Sequence, residues 1–446
     1  PFVSGAAALV QEKFPDLNGR QIADVLLSTA NKNVVLPKVI LKTFTDKNKT
    51  QKHTIIITSN SDVSRGLVIK NKDEVLNALK DAGYDSNVDS IYNDIIKTPD
   101  NKLSIYELNK ESIIGQGVLD IQKAMGGLAR LDANRLTRDD IYTLNSNSTL
   151  TKWNFTIGSK FTNTEHALYT LNVSDSNEML FSNNIDERLW DTSLHYNIGG
   201  TMVNLASSPS TVTNPMTHFT SVGLLKHGTG TLVLSGQNTY TGLTYVANGT
   251  LALMSEADYY NEKKYKNEEK HKAQTTSAAM TLATAANNSA IPPIYIPNNT
   301  NAKKPSLSGS VYVTSGATLA GNGTIKQNLD NHGTVQAGTL YPTDTSGKDD
   351  KTGTNNDLIV GGTYTQDTDA TLTLVFGESG NAKLNATNGY NIANGAKLTF
   401  TPQKNVFFTL AGNKISIDMG NMPKHNFKIS KPISDGSLQF DIDVFS

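Results

Sequence analysis

Apolar and small residues run almost unbroken through residues 2–10 (FVSGAAALV), and the first charges arrive only at Glu12 and Lys13. Wound into a helix, such a run has apolar surface nearly all the way round, which predicts a helix covered in the middle of a domain. Pro15 ends it. Asn18 and Gln21 then form a capping-box start for a second helix, in which Ile22, Val25, Leu26 and Thr29 share one face. The texture changes over 34–114. TIIIT at 54–58 predicts a short buried strand, and 73–83 an amphipathic helix through Val75, Leu76 and Leu79 that Gly83 closes. A short helix over 88–97 stops before Pro99, and 103–108 returns as a strand, so that 34–114 is expected to be a compact α/β insertion. GQGVLD at 115–120 leads into a last short helix over 119–125, which Gly126 and Gly127 stop.

From about residue 140 the period becomes two, with strands expected over 149–156, 166–173 and 179–183. After residue 221 the pattern turns into a repeat. GTGTLVLSG at 228–236 is followed by NTYTG at 238–242 and GTLAL at 249–253, which put Leu232, Leu234, Leu251 and Leu253 on one face and glycines at the turns. The texture resumes in GATLAGNGTI at 316–325, GTV at 333–335 and AGTL at 337–340. Short strands at this spacing predict a parallel β-solenoid, because each rung can bury its apolar face only against its neighbours. The repeat is interrupted by NEKKYKNEEKHK at 261–272 and an Ala-, Thr-, Asn- and Pro-rich stretch up to 306. Too polar to offset its ordering entropy, the segment 256–306 is expected to be a flexible loop, with a smaller one at 343–356. The chain thus divides into 1–136, containing the insertion 34–114, a β-rich connector over 137–220, and the solenoid over 221–446.

The 446 residues have room for about three domains. A net charge of −1 with only 18% charged residues gives no field that would favour nucleic acid or an anionic membrane. Zero cysteines exclude disulfides, thiolate zinc sites, iron–sulfur clusters and a Cys nucleophile. No apolar stretch reaches the ~20 residues that span a bilayer, and no basic segment precedes the apolar start as in a signal peptide. Pro1 in place of Met, and an abrupt end after a strand-like run, give the expectation that both ends belong to something longer.

Two resemblances follow from these motifs. PFVSGAAALV at 1–10 resembles the stretch after the nucleophile of subtilisin-like serine peptidases, whose pattern there is G-T-S-M-A-A-P-x-V-x-G, and the family's serine would lie four positions before Pro1. Leu26, Thr29 and Ala30, and later GQGVLD at 115–120 with Ala124, are similar to that family's closing pieces in the same order. The repeat at 228–253, echoed at 316–340 and 357–375, is similar to the passenger-associated strand repeat of bacterial autotransporters. Together the resemblances imply a mixed fold: an α/β C-terminal remnant of a subtilisin-like domain, then an all-β parallel β-helix. They imply a secreted or surface serine endopeptidase of a Gram-negative bacterium. Its partners would be protein substrates and a C-terminal translocator β-barrel in the outer membrane. The alternative is a surface adhesin or structural stalk without catalysis.

Little chemistry is expected from the residues themselves. In the resembled family Asp and His precede the Ser, so the whole triad would lie upstream of Pro1, and no catalytic residue, cofactor or metal ligand is assigned here. Ser4 is a poor nucleophile candidate without a base. The histidines, His53, His166, His195, His218, His227, His271, His332 and His425, show no paired metal spacing. Asp132, Asp139 and Asp140 with Arg130, Arg135 and Arg138 read as a solvated connector with weak ion pairs. Trp153 and Trp190 read as packing residues, the lysines of 263–272 as balanced by Glu262, Glu268 and Glu269, and Gly321-Asn322-Gly323 as a solenoid corner rather than a phosphate loop.

Overall fold

A computed structural model describes residues 1–430 except 46, 60–65, 69–71, 85–87, 94–104, 147–148, 155–161, 163, 191–195, 199–200, 204–218, 281–300, 345–346, 351–355, 379 and 405–415. The chain forms two compact units, Pro1–Val25 with Gln122–Ser446, and Leu26–Ile121.

In the larger unit, parallel strands stack into three sheets of a β-solenoid, the first of which is extended ahead of the coil by the antiparallel strands Ile141–Leu144 and Leu150–Lys152. The first sheet carries Glu165–Asn172, Gly223–His227, Thr244–Val246, Val311–Val313, Leu329–Asn331, Tyr364–Gln366 and Tyr390–Ile392. The second begins with Glu178–Phe181, Thr231–Leu234 and Thr250–Leu253 and continues through Thr318–Gly321, Thr334–Ala337, Thr371–Phe376, Ala396–Pro402 and Phe427–Ile429. The third is narrower: Gln237–Asn238, Ser306–Leu307, Thr324–Ile325, Leu358–Val360 and Leu384–Ala386. The Thr-Leu-x-Leu repeat explains the register. Leu232, Leu251, Leu319, Val335, Leu372 and Leu398 pair in one column of the second sheet, all buried, with a second inward column through Phe181, Leu234, Leu253, Ala337, Leu374 and Phe400. Burial of such columns is the main force that closes the coil. The Gly321 corner behaves as expected: its φ is +135°, and a Cβ there would meet the Leu253 carbonyl oxygen at 1.9 Å.

The coil starts earlier than the repeat does. Glu165–Asn172 and Glu178–Phe181, within the expected connector, pair in parallel with the next rung and form rung one. That rung lacks the glycine corners that mark its successors, so alternation was visible there but repetition was not.

Inside the coil, the last inward position of a first-sheet strand holds Lys226, Asn331 or Gln366, each fully or almost fully buried. Each caps the following corner. Lys226 Nζ donates to the carbonyls of Gly228 and Gly230 at 2.6 Å and of Asn248 at 2.9 Å. Burial pushes this lysine down to about 8, while its three carbonyl acceptors favour the ammonium form. Asn331 donates to the Thr371 carbonyl, and Gln366 to those of Ala370 and Lys397.

The segment expected to be a loop contains a helix instead. Residues Glu256–Met280 are helical, and the first turns lie on the outer face of the second sheet. Tyr259 and Tyr260 pack against Leu180, Val233, Ala252 and Met254. Lys263 and Lys266 pair with Glu178, and the ring of Tyr265 stacks on Tyr341 at 5.1 Å. The covered outward column is apolar (Leu180, Val233, Ala252), whereas the same column further along is Gln336, Thr373 and Thr399. Charge density suggested a solvated loop because it hid this one-sided pattern. Part of the expected loop, 281–300, lies outside the described residues.

The smaller unit has a four-stranded sheet in the order Val39–Thr45, Gln51–Ser59, Ile105–Asn109, Gly66–Val68. Its first pair is antiparallel and the central pair parallel. Helices Lys72–Asp81 and Val88–Asn93 supply Val75, Leu79, Val88 and Ile91, which pack with Val39, Ile55 and Ile105 into its core. The far end of the expected 88–97 helix is not among the described residues.

The cover on the second sheet predicts a cleavage pattern. Limited trypsin digestion of the folded protein should leave the bonds after Lys263, Lys264 and Lys266 intact while exposed lysines elsewhere are cut. Early cleavage at these three would show that the helix does not cover the sheet.

Candidate functional site

The N-terminal helices are α1, Phe2–Lys13, and α2, Gly19–Ser28. The capping box at Asn18 and Gln21 is closed in both directions, at 2.9 and 3.0 Å. The expectation of a helix covered nearly all round is corrected. Ala6 and Val10 are buried, as is Phe14 just beyond the helix, but Phe2 is 85%, Val3 62% and Leu9 44% exposed. The helix is thus covered on one side only, and the residue that follows it reaches the first rung of the solenoid. Phe14 meets Phe181 edge to face at 5.2 Å. Gly127 makes room there, since a Cβ would sit 2.2 Å from the Phe181 ring and the backbone has φ +81°.

Polar groups lock this contact. Asp24 of α2 is 5% exposed and accepts from Arg135 Nε at 2.6 Å and from the Tyr169 hydroxyl at 2.8 Å. Tyr169 stands on the rung-one strand with its ring inside the coil, and burial, then the Asp24 charge, push its hydroxyl far above the usual phenol range. Arg20 pairs with Asp140 at 3.3 Å, and Gln21 Nε2 donates to the Thr170 carbonyl at 2.8 Å. Beyond α1, Asp16 accepts from the Ser174 hydroxyl and from Asn177 Nδ2. Of the acidic and basic residues of 130–140, Arg138 and Asp139 are exposed as expected of a solvated connector, but Arg130, Arg135 and Asp140 are not part of one. Arg130 grips Asp186 with two bonds of 2.7 and 2.8 Å, Arg135 reaches Asp24, and buried Asp140 closes a capping box with Thr137. Asp24 and Tyr169, the centre of this network, were missed from sequence. A lone Asp on the inner side of an otherwise apolar helix face was the available signal.

The other candidates stay apart. His227 faces Asn172, His53 faces Thr43, and His332 pairs with Asp367 beneath Tyr312. Trp153 and Trp190 are half-buried. His195 and His218 lie outside the described residues, as do the side chains of His271 and His425. Among the described residues no group of three His, Cys, Asp or Glu side chains could hold a metal ion, and no helix is long and apolar enough to cross a membrane.

With that geometry in hand, the comparisons bear on the repeat. Residues 224–253 match the passenger-associated-transport-repeat family. Those residues are rung two and most of rung three of the coil. The match supports an autotransporter passenger built of parallel strands, and with it a secreted or cell-surface location. No curated protein matches the chain.

The cap should be measurable as stability. Asp24→Ala strands a buried tyrosine hydroxyl and removes the partner of Arg135, and should cost about 3 kcal/mol in denaturant unfolding. Tyr169→Phe should cost about 1–2 kcal/mol. An unchanged midpoint in both variants would show that the helices do not hold the rung.

Proposed function

We propose that the chain is the stalk-bearing part of a secreted peptidase of autotransporter type, with α1 and α2 as closing helices of a subtilisin-like domain and the solenoid as its carrier. The observation that carries this reading is the uncovered apolar surface of α1. Phe2, Val3 and Leu9 face outward on the segment that resembles the helix behind a subtilisin nucleophile. A peptidase body would cover them, and exposed apolar surface of this kind marks a contact. In this reading the triad belongs to sequence preceding Pro1, and residues 1–33 support the catalytic turn from behind. A translocator β-barrel in the outer membrane would be the partner in export, and proteins the substrates.

One observation favours the rival, a stalk or adhesin without catalysis. Asp24, Arg135 and Tyr169 make the helix pair integral to the solenoid, and a solenoid needs an end cap whether or not a peptidase is attached.

A serine-directed fluorophosphonate separates the two. Labelling of the product of the complete open reading frame, lost on replacing the serine of its G-T-S-M-A-A motif and absent from residues 1–446 alone, is the expected result. A complete product that never labels would leave the stalk reading, and labelling of residues 1–446 alone would overturn the placement of the reactive serine ahead of Pro1.

A further inference from the structure

The long helix, α3 hereafter (Glu256–Met280), is anchored at its start by a buried carboxylate. Asp258, in its first turn, has a fully buried side chain. Its Oδ1 accepts from the Thr343 amide and hydroxyl, both at 2.7 Å. Its Oδ2 accepts from Asn322 Nδ2 at 2.9 Å and from Lys304 Nζ at 3.3 Å. A lysine amine and an asparagine carboxamide therefore share a single carboxylate oxygen. Lys304 follows the insertion, just before the rung-three strand Ser306–Leu307, and Asn322 occupies the rung-four corner. Both are held in place: the Lys304 carbonyl accepts from Gln237 Nε2 at 2.9 Å, and the Asn322 amide donates to the Leu253 carbonyl at 3.0 Å.

A second observation marks the same spot. Asn322 is 3% exposed, its Nδ2 donates also to Asn356 Oδ1 at 3.1 Å, and its Oδ1 is buried with no partner among the described residues. Buried carbonyl oxygens are rarely left so, and an orphan asks for an explanation. A purely structural amide would be expected to have its oxygen satisfied.

We propose that Lys304 and Asn322 are joined by an intramolecular isopeptide bond formed with Asp258 as general base and acid. Asp258 Oδ2 takes a proton from the Lys304 ammonium, and the freed amine attacks Cγ of Asn322. The Nζ–Cγ bond forms and the Cγ–Nδ2 bond breaks. The departing NH2 takes the proton back from Oδ2, which it already faces, and a second proton from the attacking nitrogen, and leaves as ammonium. Charge and atoms balance, and no oxidant is needed. Convergence of the half-buried Lys304 amine and the buried Asn322 amide on one oxygen of the buried Asp258 carboxylate supplies the proximity that makes amide exchange feasible. The product would tie the end of the insertion to the solenoid in a chain that has no cysteine for a disulfide.

The test is the intact mass of the folded, purified 446-residue chain, measured in denaturant, with a protease digest of the same sample. The expected result is a mass lower than the sequence mass by one ammonia, and a branched peptide joining the segments that contain Lys304 and Asn322. Lys304→Arg keeps the charge beside Asp258 but cannot form the bond. This variant should return to full sequence mass and show no branched peptide. Asn322 precedes Gly323, so a succinimide at that step would lose the same ammonia. It would persist in Lys304→Arg and give no branched peptide, and that outcome overturns the proposal. So does full sequence mass in the folded wild type, or a loss of one water with Asp258 as the acyl partner. Should Lys304→Arg fail to fold, the branched peptide of the wild type decides alone.

Discussion

A coil of parallel strands buries its apolar columns only where another rung lies against them, and this constraint governs the whole larger unit. Leu232, Leu251 and Leu319 satisfy one another through the middle of the stack. Among the described residues no parallel rung precedes rung one: in the first sheet its edge pairs antiparallel with Ile141–Leu144, and in the second sheet Glu178–Phe181 is the end strand. The rung's inward Phe181 and Tyr169 would stand at an open end, and they are the residues that Phe14 and Asp24 meet. The helix pair is thus best understood as the missing neighbour of rung one. The hydrogen bonds of Asp24, Arg135 and Gln21 fix its position because an apolar contact alone does not specify register.

The same constraint explains the insertion. A solenoid face that is apolar on its outer side needs a second layer, and α3 supplies it over Leu180, Val233 and Ala252. Where that layer ends, the outward column turns to Gln336, Thr373 and Thr399. Asp258 anchors the helix at its start, and the Lys263 and Lys266 pairs with Glu178 hold the next turn. Interior polar residues follow a related logic. Lys226, Asn331 and Gln366 sit where a strand ends and donate to carbonyls of the corner that follows, so their buried polar ends are satisfied and stabilise the turn.

Legibility in the sequence tracked how local each cause was. The Thr-Leu-x-Leu columns and the Gly321 corner are written within a few residues, and the solenoid could be read from them. So could the Asn18 and Gln21 cap. Non-local causes were invisible. The charged face of α3 hid Tyr259 and Tyr260, whose partners lie in three separate rungs. The acidic and basic residues of 130–140 looked solvated because Asp24 and Asp186 are distant in sequence. For α1 the reading overstated cover: composition showed an apolar helix, but only the structure shows which of its residues the rung takes. The subtilisin resemblance rests on local motif order, which is why it informs a proposal about function and not the description of the fold.

The central claim is that the helix pair acts as the end cap of the coil. Amide hydrogen exchange, compared between the wild type and an Asp24→Asn variant, tests it most directly. A cap that closes rung one predicts lost protection in Glu165–Asn172 and Glu178–Phe181, a smaller loss in Gly223–His227, and no change beyond Leu329–Asn331. Unchanged protection in rung one, or an equal loss along the whole coil, would contradict it.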